Sequence, residues 1–305
     1  MPARDALLAV LVALIWGLNF VVIDEGLDGM PPLVLVTLRF VVVVLPAVFL
    51  IPKPPVPWRV LLASAAFLSF GQFGLLYSSL AAGMPAGLAS LVVQAQVIFT
   101  VLIAAGRLRE RPTAGQAAGI VLGSAGLAVV ATGRSAETPL VGLLLCVAAA
   151  LSWATGNVVT RRAGVASGLS MVVWSAVFVP VPMFALALAV DGPAEVGRSL
   201  AHLTLPNVFA TFYTAYLASL VGYGIWNSLL ARHRAAVVVP FTLLIPPVGM
   251  ASAWLIQHER PGSAEIAGGA VLLAGVAVTV FGGRRARKVT SAASADADGP
   301  RPVTV

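Results

Sequence analysis

The sequence predicts an all-α membrane protein of ten transmembrane helices, arranged as two inverted five-helix repeats with both termini cytoplasmic. Three observations carry this. Of 305 residues, 59% are hydrophobic and 10% charged, with mean hydropathy +0.96; a soluble domain carries about 25% charged residues. The chain holds ten apolar runs close to the ~20 residues that cross a bilayer. Its second half also repeats its first.

The runs are 5–23, 32–51, 58–80, 86–106, 114–131, 139–159, 169–190, 206–230, 235–256 and 264–282. The first, within "MPARDALLAVLVALIWG", has the basic start of a signal peptide. No small-x-small cleavage site follows it, so it is read as a retained span. The connections are short and hold Gly, Pro and charge, as in "DEGLDGMPP" and "PKPPVPW". With the N-terminus inside and the spans alternating, 15 basic residues face the cytoplasm and 3 face outward. That asymmetry is what the positive-inside rule describes. The nineteenth, Arg39, lies within the second run, in "VTLRFVVVVL". The net charge of +7 therefore reports topology, and nucleic acid is not an expected partner; the lipid bilayer is.

The repeat has two offsets. "ALIWGLNFVV" at 13–22 matches "ALSWATGNVV" at 150–159, an offset of 137 that pairs Trp16 with Trp153. "ERP" at 110–112 matches "ERP" at 259–261, an offset of 149 that also pairs Ala86 with Ala235, Gly119 with Gly268, Gly126 with Gly275 and Gly133 with Gly282. The 12 extra residues fit the connection from about Asp191 to Leu205. The chain thus divides into 1–133, 134–283 and a tail, 284–305. Five spans per repeat insert the second upside down. In transporters, inverted repeats place the substrate at their interface near the midplane. In the tail, "RRARK" is a juxtamembrane stop signal. The rest is too poor in bulky apolar residues to pack and is read as disordered.

Enzymatic chemistry is not spelled. The single cysteine, Cys146, allows no disulfide. There is no metal-ligand spacing, phosphate loop or paired intramembrane acid, so no metal and no cofactor are expected.

"WGLNFVV", "MPPLVLVTLRF", "GMPAGLASLVVQAQ", "SWATGNVV", "VGYGIWNSLL" and "LLIPPVG" together resemble the EamA family of the drug/metabolite transporter superfamily. The resemblance covers all ten spans. It implies a bacterial inner-membrane exporter of small amino-acid metabolites, of the cysteine and O-acetylserine kind, working by alternating access. Exporters of aromatic amino acids or drugs are the alternative the family offers. The chain departs from the family pattern at Pro247, beside Pro246, and at Arg109 before Glu110.

An exporter of a small zwitterion needs polar groups inside the bundle, and the sequence offers several. Of the twelve acids, none lies deep in a span: Asp24, Glu25 and Asp28 end the first, and Glu110 and Glu259 start loops. No carboxylate or histidine relay for protons is therefore expected. Trp16 and Asn19, one turn apart, are mirrored by Trp153 and Asn157. Ser69, Gln72 and Ser79 share one helical face, as do Tyr213, Tyr216, Tyr223 and Asn227, with Trp226 beside them. Such faces line a cavity or bond neighbouring helices. Gln94 and Gln96 point about 160° apart on a helix, so one of them is expected to leave the cavity; Gln94 is the candidate liner. Pro180 and Pro182, and Pro240, Pro246 and Pro247, interrupt the seventh and ninth runs and are hinge candidates. Arg39, which cannot lose its charge, is expected to face the cavity and attract a substrate carboxylate. Oligomeric state has no sequence signal.

Overall fold

The computed structural model describes residues 1–133, 138–162 and 168–297, and of residues 235, 236 and 283–297 the backbone alone. Every described element is helical. Among the described residues nine helices are long and apolar enough to cross a membrane: Ala3–Glu25, Pro32–Leu50, Trp58–Ala81, Ala86–Arg107, Ala114–Thr132, Leu140–Arg162, Leu205–Arg232, Val239–Gln257 and Ser263–Gly282. The seventh of the ten spans is a pair, Leu169–Ala176 and Pro180–Val190, bent by 46°. An even number of spans puts the start of the first and the end of the tenth on one side, called here the terminal side. The opposite side is the far side. Asp5, at the start of the first span, accordingly pairs with Arg232 at 3.1 Å and His233 at 2.5 Å, at the end of the eighth.

Four spans contain π or 3-10 segments among the described residues. Span three contains a π-helical segment, Ala65–Gly71, and span eight another, Tyr213–Val221. Span four tightens into a 3-10 turn at Val93–Ala95, and a 3-10 segment, Val239–Leu244, opens span nine. At the offset of 149, residues 65–71 fall on 214–220 and 93–95 on 242–244. The repeat therefore extends to backbone irregularities that carry no sequence pattern. In each repeat the first span of the other one accounts for the wide turn. Ser152 donates to the Phe67 carbonyl at 2.8 Å, and Trp16 Nε1 to the Ala218 carbonyl at 2.9 Å. These bonds satisfy carbonyls that a widened turn frees inside a membrane. The same neighbours leave no room at the glycines closing each π segment. A Cβ on Gly71 would lie 2.4 Å from Ser152 Oγ, and one on Gly222 2.7 Å from Trp16 Nε1.

Spans five and ten pack backbone on backbone. A Cβ on Gly126 would meet Leu272 N at 2.3 Å, and one on Gly275 would meet Gly123 N at 2.2 Å. The glycines that revealed the repeat are thus also its closest helix–helix contact, in the manner of small-residue membrane interfaces.

Several expectations are revised. Pro246 and Pro247 do not interrupt a helix. They stand in the first turn of Ile245–Gln257, where a missing N–H costs nothing, and the irregular stretch precedes them around Pro240. Pro180 and Pro182 do sit at the bend of span seven. Pro46 breaks span two, a discontinuity not expected from the sequence. A short helix, Pro193–Ala201, fills the long connection before span eight. The last helix runs on to Ala297, carrying the backbone of "RRARK" and part of the segment expected to be disordered; residues 298–305 lie outside the described residues.

Candidate functional site: a cavity between the repeats

A cavity of about 660 Å³ lies between the two repeats. Ten sequence-derived candidates line it: Trp16, Asn19, Arg39, Gln72, Gln94, Trp153, Asn157, Tyr223, Trp226 and Asn227. It extends to Thr160 and Arg161 at the terminal end of span six, where the Arg161 side chain is 57% exposed. On the far side the repeats are tied together. The Glu259 carboxylate accepts the N–H groups of Ala86 at 2.6 Å and Gly87 at 3.0 Å. Asn207 Nδ2 donates to the carbonyls of Gly26 and Asp28, each at 3.0 Å. Gln257 donates to Asp24 at 2.7 Å and Glu25 at 2.9 Å. The cavity is therefore open toward the terminal side and closed toward the far side. Burial pushes the Glu259 carboxyl above the usual range, helped by the charges of Asp24 and Glu265 and opposed by its two N–H donors.

Arg39 is the centre of the site. It is 2% exposed and does not snorkel. Nη1 donates to the Tyr77 hydroxyl at 3.1 Å, and Nη2 to Ser219 Oγ at 3.0 Å. The guanidinium carbon lies 3.8 Å from the centre of the Phe73 ring and 5.5 Å from that of Phe40. Its partners are thus hydroxyls and ring faces. Among the described residues no carboxylate pairs with it. Ser219 in turn donates to the Thr214 carbonyl at 2.8 Å, across the π turn. Arg39, from span two, therefore holds span three of its own repeat and span eight of the other.

Four residues that line the cavity each carry a buried polar atom with no partner among the described residues: Arg39 Nε, Asn19 Oδ1, Ser64 Oγ and Asn227 Nδ2. Buried polar groups are nearly always paired. These four residues place two donors and two groups able to accept around one cavity. An aromatic wall adds to them: the Trp16 ring centre is 5.0 Å from that of Tyr223 and 5.4 Å from that of Trp226. Ring faces of this kind attract an ammonium.

Two expectations fail here. Tyr216 does not join the cavity. It is 36% exposed and stacks on Phe212 at 5.8 Å, facing the lipid side. The π turn is the reason. Widening the helix between Tyr213 and Val221 shifts its phase, so residues spaced three, seven and four no longer share a face. Tyr213 instead points to the Ile15 carbonyl at 2.9 Å. Ligand binding in the cavity should stay within about twofold of wild type in Tyr216→Ala, as for an exposed position, whereas in Tyr223→Ala it should not; binding titrations of both variants check this. The second failure is the glutamine pair. Both Gln94 and Gln96 line the cavity, because the 3-10 turn between them narrows their angular separation from about 160° to about 120°. Gln94 donates to the Thr242 carbonyl at 3.1 Å, and Gln96 accepts from Asn157 at 3.1 Å. On the three-residue stripe, Ser69 and Gln72 face the cavity, while Ser79 donates to the Gly142 carbonyl at 2.6 Å.

The comparisons with known proteins bear on this geometry. The family model described as "EamA-like transporter family" matches residues 4–132 and 140–281. The chain belongs to this family. The two matched segments are the two five-span halves. A "Probable amino-acid metabolite efflux pump" of Escherichia coli is 41% identical over 299 residues, covering 95% of this chain and all of that one. A protein of the same description from Salmonella typhimurium is 40% identical, covering 93% and 97%. A protein of known crystal structure shares the fold with a TM-score of 0.61 at 20% identity, over 93% of this chain and 99% of that one. With its apolar spans, family membership makes the chain a multi-pass transporter of the bacterial inner membrane.

Proposed function

We propose that this EamA-family transporter exports small amino-acid metabolites of the cysteine and O-acetylserine kind, by alternating exposure of the cavity to the two sides of the membrane. The single observation that carries the reading is Arg39. It is a buried, permanently charged group with an unpartnered Nε on a cavity open to one side. A substrate carboxylate supplies the missing anion, and the Trp16, Tyr223 and Trp226 faces take the ammonium. The relatives' description as amino-acid metabolite efflux pumps supports the substrate class. With the basic loops inside, the terminal side is the cytoplasm, and the structure is the loading state. Pro180 and Pro182 at the bend of span seven, and Pro240 in the irregular start of span nine, are the flexing points, with Pro246 and Pro247 stiffening the helix that follows.

A second reading has its own observation. A cavity of about 660 Å³ with three tryptophans on its wall leaves space beside a molecule the size of cysteine, and favours aromatic amino acids or larger amphipathic compounds. Proteoliposomes loaded with labelled cysteine, O-acetylserine or phenylalanine separate the two. Efflux of the first two ahead of phenylalanine supports the proposal; phenylalanine ahead supports the second reading; no flux of any amino acid refutes the proposal and the aromatic amino-acid form of the second reading.

A further inference from the structure

The two "ERP" glutamates occupy equivalent places in the repeats but opposite sides of the membrane, and the structure holds them differently. Glu259, between spans nine and ten on the far side, grips the N-terminus of span four through the Ala86 and Gly87 N–H groups. The first N–H groups of a helix have no partner within it and favour a carboxylate. The contact joins the two repeats, and its closeness is built in: a Cβ on Gly87 would lie 2.9 Å from Glu259 Oε2. Glu110 is the counterpart between spans four and five on the terminal side. At the same offset of 149, Ala86 falls on Ala235, the start of the helical stretch that leads into span nine. Glu110 pairs instead with Arg161 at 2.8 Å, with its own side chain 44% exposed. Arg161 stands at the open end of the cavity. The engaged glutamate is thus on the closed side, and the disengaged one on the open side.

We infer that Glu259 and Glu110 are twin latches, used one at a time. Glu259 on the start of span four holds the far side shut. When the terminal side closes, Glu110 leaves Arg161 and takes the Ala235 N–H at the start of span nine, while Glu259 lets go of Ala86 and Gly87. Position 236 is alanine where position 87 is glycine, so Ala235 is the donor the twin shares unchanged. The inverted repeat supplies the second state. What the first repeat does to the second on one side, the second does to the first on the other.

The inference rests on alternating exposure as proposed above, and the test separates the two. The readout is the rate at which a membrane-impermeant maleimide, added on the terminal side, labels Thr160→Cys in a full-length chain carrying Cys146→Ser. Glu259→Gln weakens the far-side latch and should slow labelling roughly fivefold, the scale set by trading a charge-assisted hydrogen bond for a neutral one. Adding Glu110→Gln to it weakens the opposing latch and should restore the rate toward that of the parent. Glu110→Gln alone should leave the rate unchanged or raise it. If both single variants slow labelling, or the double variant is no faster than Glu259→Gln, the latches are not twins and the inference is overturned. If labelling in every variant is also blind to added cysteine and O-acetylserine, alternating exposure itself is overturned with it.

Discussion

Arg39→Gln should abolish measurable export of a zwitterionic substrate while Arg39→Lys retains a part of it. A hydrogen-bonded charge pair contributes about 1.5–3 kcal/mol, so the loss in apparent affinity is roughly 10- to 150-fold. Gln also leaves two hydroxyls without their donors: Tyr77, which is fully buried, and Ser219. Part of the effect is therefore structural. Lys restores the charge but not the fork that reaches both hydroxyls, so it divides the two contributions. An affinity recovered by Lys is charge; a flux still missing in Lys is the bridge between spans three and eight. Proteoliposome efflux with KM and maximal rate measured separately reads both. Arg39→Gln export equal to wild type would make Arg39 a structural residue.

Gly275→Val should prevent assembly of the two repeats altogether. The new Cβ would stand 2.2 Å from Gly123 N and 2.4 Å from its Cα. Both are backbone atoms of a helix, so neither can turn aside. Overpacking costs about 1–3 kcal/mol where side chains absorb it, and here spans five and ten must separate along their length. Gly126→Val, opposite Leu272 N at 2.3 Å, should fail in the same way. By contrast Gly106→Ala and Gly197→Ala, which meet nothing within 4 Å, should express normally. Yield of monodisperse protein in detergent and its melting temperature check this. A Gly275→Val chain that melts within a few degrees of wild type would contradict the packing described for these spans.

The fold was legible because the bilayer leaves so few options. Lipid demands that every backbone group be bonded within its own helix, so runs of apolar residues map directly onto spans. The repeat was legible for a related reason. The glycines at 119, 126, 268 and 275 cannot drift without separating two backbones, and the tryptophans at 16 and 153 both face the cavity. Arg39 was legible because a guanidinium in an apolar run admits few explanations. What escaped the sequence is what depends on a neighbour. A π turn at Tyr213–Val221 is held open by Trp16 from another span, so no local pattern announces it, and it undid the face assigned to Tyr216. The 3-10 turn did the same for Gln96. Ser219 escaped because a Ser or Thr hydroxyl in a membrane helix usually bonds its own preceding turn, as Thr37 does to Leu33 at 2.7 Å; Tyr77 escaped because a lone tyrosine in an apolar run reads as packing. A tertiary role for one of them has no signature. Ser64 gave no signal either, and matters only because the cavity reaches it.

The central claim is that the cavity recognises its substrate by the carboxylate, at Arg39. The measurement that tests it most directly is competition in wild-type proteoliposomes, as inhibition of labelled cysteine efflux by unlabelled cysteine and by cysteine methyl ester, set beside the binding of the same two compounds to Arg39→Gln. The ester keeps the ammonium and the side chain and removes the negative charge. In wild type the free acid should compete roughly 10-fold or more better than the ester, the lower end of a charge-pair contribution. Binding to Arg39→Gln, followed by the change in tryptophan fluorescence to which the cavity residues Trp16, Trp153 and Trp226 contribute, should show no preference between them. An ester that competes as well as the acid in wild type would contradict the account.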